Sequence, residues 1–204
     1  MDTQLNPWKS IWTNPRGTIR SIVETDPNHQ LLVFVIFGGI AHALSYASAA
    51  GLGEAFKLSE LIGLVALVGP LSGFVSLWLG SWLLTLITQR LGGAAPKEHN
   101  RAALAWSWAP MIYLLPLWGI KYILFRKELF LTDRSYLQSE PLLNGIWVVL
   151  DVVDFGIAIW SLIILFSALS EVNRFELWRG VVAYLIMSLL LLLPVMLLLM
   201  AGLA

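Results

Sequence analysis

The sequence predicts an all-α fold: a polytopic membrane bundle of five transmembrane helices behind a short N-terminal amphipathic segment. Three observations carry this. Of 204 residues, 58% are apolar and 13% charged, about half the charge of an ordinary soluble domain. The apolar residues gather in five long runs with few or no charges, each near the roughly 20 residues needed to cross about 30 Å of hydrocarbon. No ten-residue stretches alternate apolar and polar positions, as the strands of a membrane barrel would. Lysine and arginine (13) balance aspartate and glutamate (13), so no net positive field draws nucleic acid. The absence of cysteine excludes disulfides, thiolate metal sites and a cysteine nucleophile.

Residues 1–30 form the cytoplasmic N-terminal amphipathic segment. Trp8, Ile11 and Trp12 share one helix face at i, i+3 and i+4. Asn14 suits an N-cap and Pro15 a first helical position. Beyond them Ile19, Ile22 and Val23 make an apolar stripe, while Arg16, Arg20 and Glu24 recur every fourth residue on another face. Such a helix lies in a membrane interface or packs on the end of the bundle, and both readings stay open. Without an apolar core, the segment is not a signal peptide.

Residues 31–204 form the five-helix domain. The first run, 31–50, is uncharged but holds His42, Ser45, Tyr46 and Ser48. The second, 61–88, is long enough for a tilted or broken helix. Within it Gly69, Gly73, Ser76 and Gly80 form a small-residue stripe that lets helices approach closely. Packing inside one subunit is the expectation, a homo-oligomer contact the alternative. Gly69-Pro70 predicts a kink. The third run, 102–120, is interrupted by Pro110 and Pro116; the fourth, 142–170, contains Asp151 and Asp154; the fifth, 180–204, is leucine-rich and contains Pro194. Trp8, Trp12, Trp106, Trp118, Trp147 and Trp178 lie near run boundaries, an aromatic belt rather than a platform for stacking bases.

Orientation follows from the loop cations. With the N-terminus inside, the inner side holds Lys9, Arg16, Arg20, Arg90, Lys97, Arg101, Arg174 and Arg179. The outer side holds Lys57, Lys121, Arg126, Lys127 and Arg134. The larger inner set favours a cytoplasmic N-terminus and a C-terminus outside, periplasmic or extracellular.

Two sets of residues carry the resemblance to a known family. One is the opening Asn6-Pro7-Trp8-Lys9-Ser10-Ile11-Trp12-Thr13-Asn14-Pro15-Arg16, with Thr18-Ile19-Arg20 and Asp26-Pro27. The other is Leu91-Gly92-Gly93-Ala94 with Arg101-Ala102-Ala103-Leu104-Ala105-Trp106-Ser107 and Pro110. In their order and spacing the chain resembles bacterial members of the Yip-domain family, over nearly its whole length. The resemblance implies a multi-pass protein of the bacterial inner membrane with a cytosolic N-terminus, no enzyme activity, no catalytic residues and no cofactor. Eukaryotic relatives belong to the early secretory pathway and associate with Rab-type GTPases. That binding is not carried over, because their long cytosolic N-terminal region is reduced here to about thirty residues.

The residues themselves offer three candidate sites. Asp151 and Asp154 stand at i, i+3 on one helix face inside a run long enough to span. Intramembrane acids usually have a function, since a carboxylate at mid-bilayer costs about 2.5–3.5 kcal/mol. The plain alternative puts both at the outer headgroups. His42 would reach a comparable depth in the first run, making a polar cluster of His42, Asp151 and Asp154 that changes proton or cation occupancy; as a metal site these three are too sparse, and none is expected. The loop with Gly92, Gly93, Glu98, His99 and Arg101 is a candidate contact for a phosphate or a membrane or cytoplasmic protein partner, beside its plainer reading as a solvated loop. No His-Glu-x-x-His, Gly-x-Ser-x-Gly or Walker sequence occurs, so catalysis is the least supported class. The expected function is non-catalytic, organising membrane or protein partners; the alternative is a small transporter or channel for an ion, lipid or small solute using the polar cluster.

Overall fold

The structure, a computed structural model, describes residues 6–133 and 139–202, with side chains described as far as residue 193. Arg134 of the outer cation set and the Pro194 side chain therefore lie outside the described residues. Among those described, every regular element is helical: α1 Pro7–Ser10, α2 Pro15–Thr25, α3 Leu31–Ala49, α4 Leu58–Arg90, α5 Lys97–Ser107, α6 Ala109–Tyr113, α7 Leu115–Phe125, α8 Pro141–Asn173 and α9 Leu177–Gly202. Short 3₁₀ turns cover Leu52–Glu54 and Arg126–Phe130, and a π-helical turn, Phe34–Gly38, lies inside α3.

Three of these helices, α3, α4 and α8, are long and apolar enough to cross a membrane. A fourth span forms if Lys97–Tyr113 and Leu115–Phe130 are joined across their 40° bend. Pro110 and Pro116 cause the break: each lacks a backbone N–H and stands at the start of a new helix. The described part of α9, Leu177–Leu193, is apolar but shorter. Among the described residues the structure thus holds three spans, or four with the bent pair joined; the fifth run of the sequence extends beyond the residues whose side chains are described.

Two compact units make up the fold. The first comprises Met1–His29, Ser76–Ser107 and Ile163–Ala204. Here Asn14 Oδ1 accepts from Gly17 N at 3.0 Å with Pro15 as first helical residue, so the capping chemistry written in the sequence sets the start of α2. Its apolar stripe turns inward, with Ile19 and Ile22 buried in this unit alongside Ile11, and its arginine face turns outward. A buried amide chain ties three helices together. Asn173 Nδ2 donates to Asn100 Oδ1 at 2.8 Å and to Leu169 O at 3.0 Å, and Asn100 Nδ2 donates to Thr85 Oγ1 at 3.1 Å. Each member is satisfied, which is what makes buried polar atoms tolerable.

The second unit comprises Gln30–Val75 and Trp108–Leu162. Its core gathers Ala47, Leu61, Val65, Trp118, Phe125, Leu129, Phe130 and Trp147, with Phe125 and Trp147 edge to face at 4.8 Å. Helices α3 and α4 meet backbone to backbone. A Cβ at Gly69 would lie 2.9 Å from Ile40 Cα, and one at Gly39 would lie 2.8 Å from the Gly69 carbonyl carbon. Only glycine permits that approach.

Candidate functional site

The second unit holds a charged cluster that begins with an ordinary helix register. Lys121 follows Trp118 by three positions on α7; Trp147, Asp151 and Asp154 follow one another by four and three on α8. Both sets share a helix face. The two faces meet: the Lys121 ammonium donates to Asp154 Oδ2 and lies 3.5 Å from Asp151 Oδ1. It also sits 5.4 Å from the Trp118 ring and 5.9 Å from that of Trp147, within reach of cation–π attraction. Lys121 is almost fully buried, its side chain 3% exposed, against 28% for Asp154 and 50% for Asp151. A lone buried ammonium would cost several kcal/mol, and its carboxylate partners offset that.

Two carboxylates against one ammonium leave the cluster one negative charge in excess. The surplus is localised. Asp151 is held only loosely by Lys121, and Asp154 Oδ1 is buried with no hydrogen-bond donor on it among the described residues. The cluster lines a cavity of about 470 Å³ whose other walls include Ser45 and Ser48 of α3. Chemically, the half-exposed Asp151 carboxylate is the acceptor this cavity presents. His42 is engaged elsewhere: its Nδ1 lies 2.8 Å from Gly38 O and its ring 4.6 Å from that of Trp108. The structure therefore joins Asp151 and Asp154 through Lys121, with His42 in a separate contact. No group of three or more histidine and acidic side chains able to hold a metal is present among the described residues.

The glycine loop belongs to the first unit and has a structural explanation. Gly92 has φ +85°, the left-handed conformation that ends a helix. Its N–H donates to Gln89 O at 3.2 Å and that of Gly93 to Thr88 O at 2.8 Å, while Arg179 Nη1 donates to Leu91 O at 3.0 Å. The carbonyls of Thr88 and Gln89 near the end of α4, and that of Leu91 just beyond it, are thereby satisfied. Arg101 is buried, donates to Asn28 Oδ1 at 2.6 Å and lies 4.8 Å from the Trp78 ring. Glu98 is exposed, and His99 is half-buried in a shallow polar pocket with Arg20, Glu24, Glu171 and Arg174. An ion pair, Arg20 Nη2 to Glu171 Oε1 at 2.6 Å, crosses that pocket. On α4, Gly69, Gly73 and Gly80 are buried and Ser76 is exposed.

Lys121 is the residue that reading the sequence places in a loop. Its signal is present but non-local: two acids at i, i+3 in an apolar helix require a cation, and Lys121 is flanked by the apolar Trp118, Ile120 and Tyr122. Asn100 and Asn173 carry no such signal, since neither amide announces a partner 73 residues away.

Long apolar helices, one of them broken at prolines, with a mid-helix charge cluster of Lys121, Asp151 and Asp154, define a polytopic α-helical membrane protein. The chain belongs to the Yip1-domain family, whose domain matches residues 9–200. No curated protein and no solved structure matches it.

Proposed function

We propose that the protein is a non-catalytic member of its family that organises membrane or protein partners, seated in a bacterial inner membrane with its N-terminus cytoplasmic. The carrying observation is the family membership across residues 9–200. The larger number of lysines and arginines in the inner set than in the outer set supports the orientation. The apolar stripe of α2 is spent on packing within the first unit, so what remains outward for a partner is polar: Lys9, Arg16, Arg20 and Glu98 are exposed. The His99 pocket, lined also by Arg20, Glu24, Glu171 and Arg174, adds a mixed-charge surface suited to a protein or an anionic lipid surface. The five-span arrangement belongs to this reading, with α9 as the last span.

Photo-crosslinking in native membranes tests it. Probes at Lys9 and Glu98 are expected to trap a discrete protein or anionic lipid, and a probe at the exposed Ile123 of α7 to trap neither. Charge reversal at Lys9, Arg16 and Lys97 together should remove the adduct while leaving the protein folded. No adduct from either position, or adducts untouched by the reversal, would end the reading.

A further inference from the structure

We infer that the groove between the end of α4 and α9 in the first unit seats an anionic phospholipid, its phosphate held by Arg90 and Arg179 and its chains laid on the apolar rows that lead away from them. The groove shares no residue with the partner surface proposed above, so the two readings stand or fall separately.

Two cations without acids carry the inference. Arg90 is exposed at the last position of α4 and lines an open groove of about 430 Å³ with Leu86, Ile87, Gln89, Leu91 and Ile186. Arg179 reaches the same turn: its Nη1 donates to Leu91 O at 3.0 Å, and its guanidinium lies 5.5 Å from the Trp178 ring. Neither guanidinium is ion-paired among the described residues, and no acid lines the groove. The other buried or pocketed cations differ. Lys121 faces two carboxylates, and Arg20 is matched by Glu171. Charge therefore selects an anion here. The planar guanidinium selects one that accepts hydrogen bonds in pairs, as a phosphate does.

The surroundings select a lipid over a soluble phosphate. Gln89 and Arg90 are the polar residues of the groove wall, and the rest of it is aliphatic. From Leu86 an exposed apolar row runs back along α4 through Trp82 and Leu79; from Ile186 another runs on along α9 through Leu190 and Leu193. Both step by four and then three residues, which keeps each row on one helix face. Helix α4 ends beside the arginines and α9 starts there, so both rows lead from the charged end into the spans. One anionic head with two chains covers both rows and meets both cations. Basic pockets between membrane helices take anionic headgroups in this way.

The test is lipid retention by the full-length protein. It is reconstituted in nanodiscs of equal phosphatidylglycerol and phosphatidylcholine, released, and its bound lipid identified by native mass spectrometry. Phosphatidylglycerol is expected in about thirtyfold excess, about fivefold for each arginine at a membrane surface. Arg90→Gln should lower that ratio about fivefold. Ile186→Trp fills the groove and leaves every charge in place, so it should also lower phosphatidylglycerol retention, whether or not the Arg90 variant folds. Lys127→Gln removes an exposed cation of the second unit and should leave the ratio unchanged. Glycerophosphoglycerol, the headgroup without chains, should fail to displace the lipid at equal concentration. Equal retention of both lipids, a preference that survives Arg90→Gln or Ile186→Trp, an equal loss from Lys127→Gln, or displacement by the soluble headgroup would each overturn the assignment.

Discussion

Lys121 carries a charge into the apolar core of its unit, and its energetics follow from its partners. With its side chain 3% exposed and its ammonium bonded to Asp154, removing it strands a carboxylate whose Oδ1 already lacks a donor among the described residues. Lys121→Met should destabilise the protein by about 3 kcal/mol, the lower end for a broken buried pair because Asp154 keeps some exposure. Adding Asp154→Leu should restore most of that loss, since an apolar pair needs no desolvation. Unfolding of the four proteins of this cycle in one detergent measures it; a double variant no more stable than Lys121→Met would contradict the pairing energetics. The two acids were legible as residues in need of a partner. Their cation was not, because it lies 33 positions away, and a lysine at the end of an apolar run looks like a loop residue until the helix bearing it is known to continue to Phe125.

Helix α4 shows how a periodic signal is read correctly in part. Its buried face runs Leu61, Val65, Gly69, Gly73 and Leu77, a strict i+4 ridge of the kind that packs between helices. Gly69 and Gly73 belong to that ridge, while Ser76 sits one residue to the side and faces out. The stripe was visible as small residues; which of them meets a neighbour depends on where α3 lies, and no spacing within α4 states that. Gly39→Val and Gly69→Val should each cost about 1–3 kcal/mol, as overpacking does, because their Cβ atoms would press on backbone rather than on a movable side chain. Gly63→Ala is the control: nothing lies within 4 Å of its added Cβ. It should be neutral or stabilising by at most about 1 kcal/mol. Thermal unfolding in detergent separates the cases, and a Gly63→Ala loss as large as that at Gly39 would remove the packing explanation.

At the scale of the whole chain, composition and run length were sufficient for the fold class, since backbone in hydrocarbon must satisfy itself and helices do so internally. The third run was less legible: the sequence marks 102–120, whereas the helical path runs from Lys97 to Phe130 with a bend. Prolines announced the break, but Lys121 truncated the run, its neutralisation being invisible to a hydropathy window. Five spans with the N-terminus inside predict that reporters fused after Gly53, Gly93, Ser135, Asn173 and Ala204 read outside, inside, outside, inside, outside. Four spans, with α9 lying on the surface, would instead keep the Asn173 and Ala204 reporters on one side. Alkaline phosphatase and fluorescent-protein fusions distinguish the two.

The bond between Lys121 and Asp154 also sets an order of events during synthesis. The lysine leaves the ribosome 33 residues before its acceptor, a delay of about 2–7 s at ordinary elongation rates of roughly 5–20 residues per second. Throughout that interval α7 is an apolar helix with an unmatched cation and a proline-broken entrance, a poor candidate for release into lipid. The second unit is completed by a pairing across time as well as space, its cation being made well before the carboxylates that receive it.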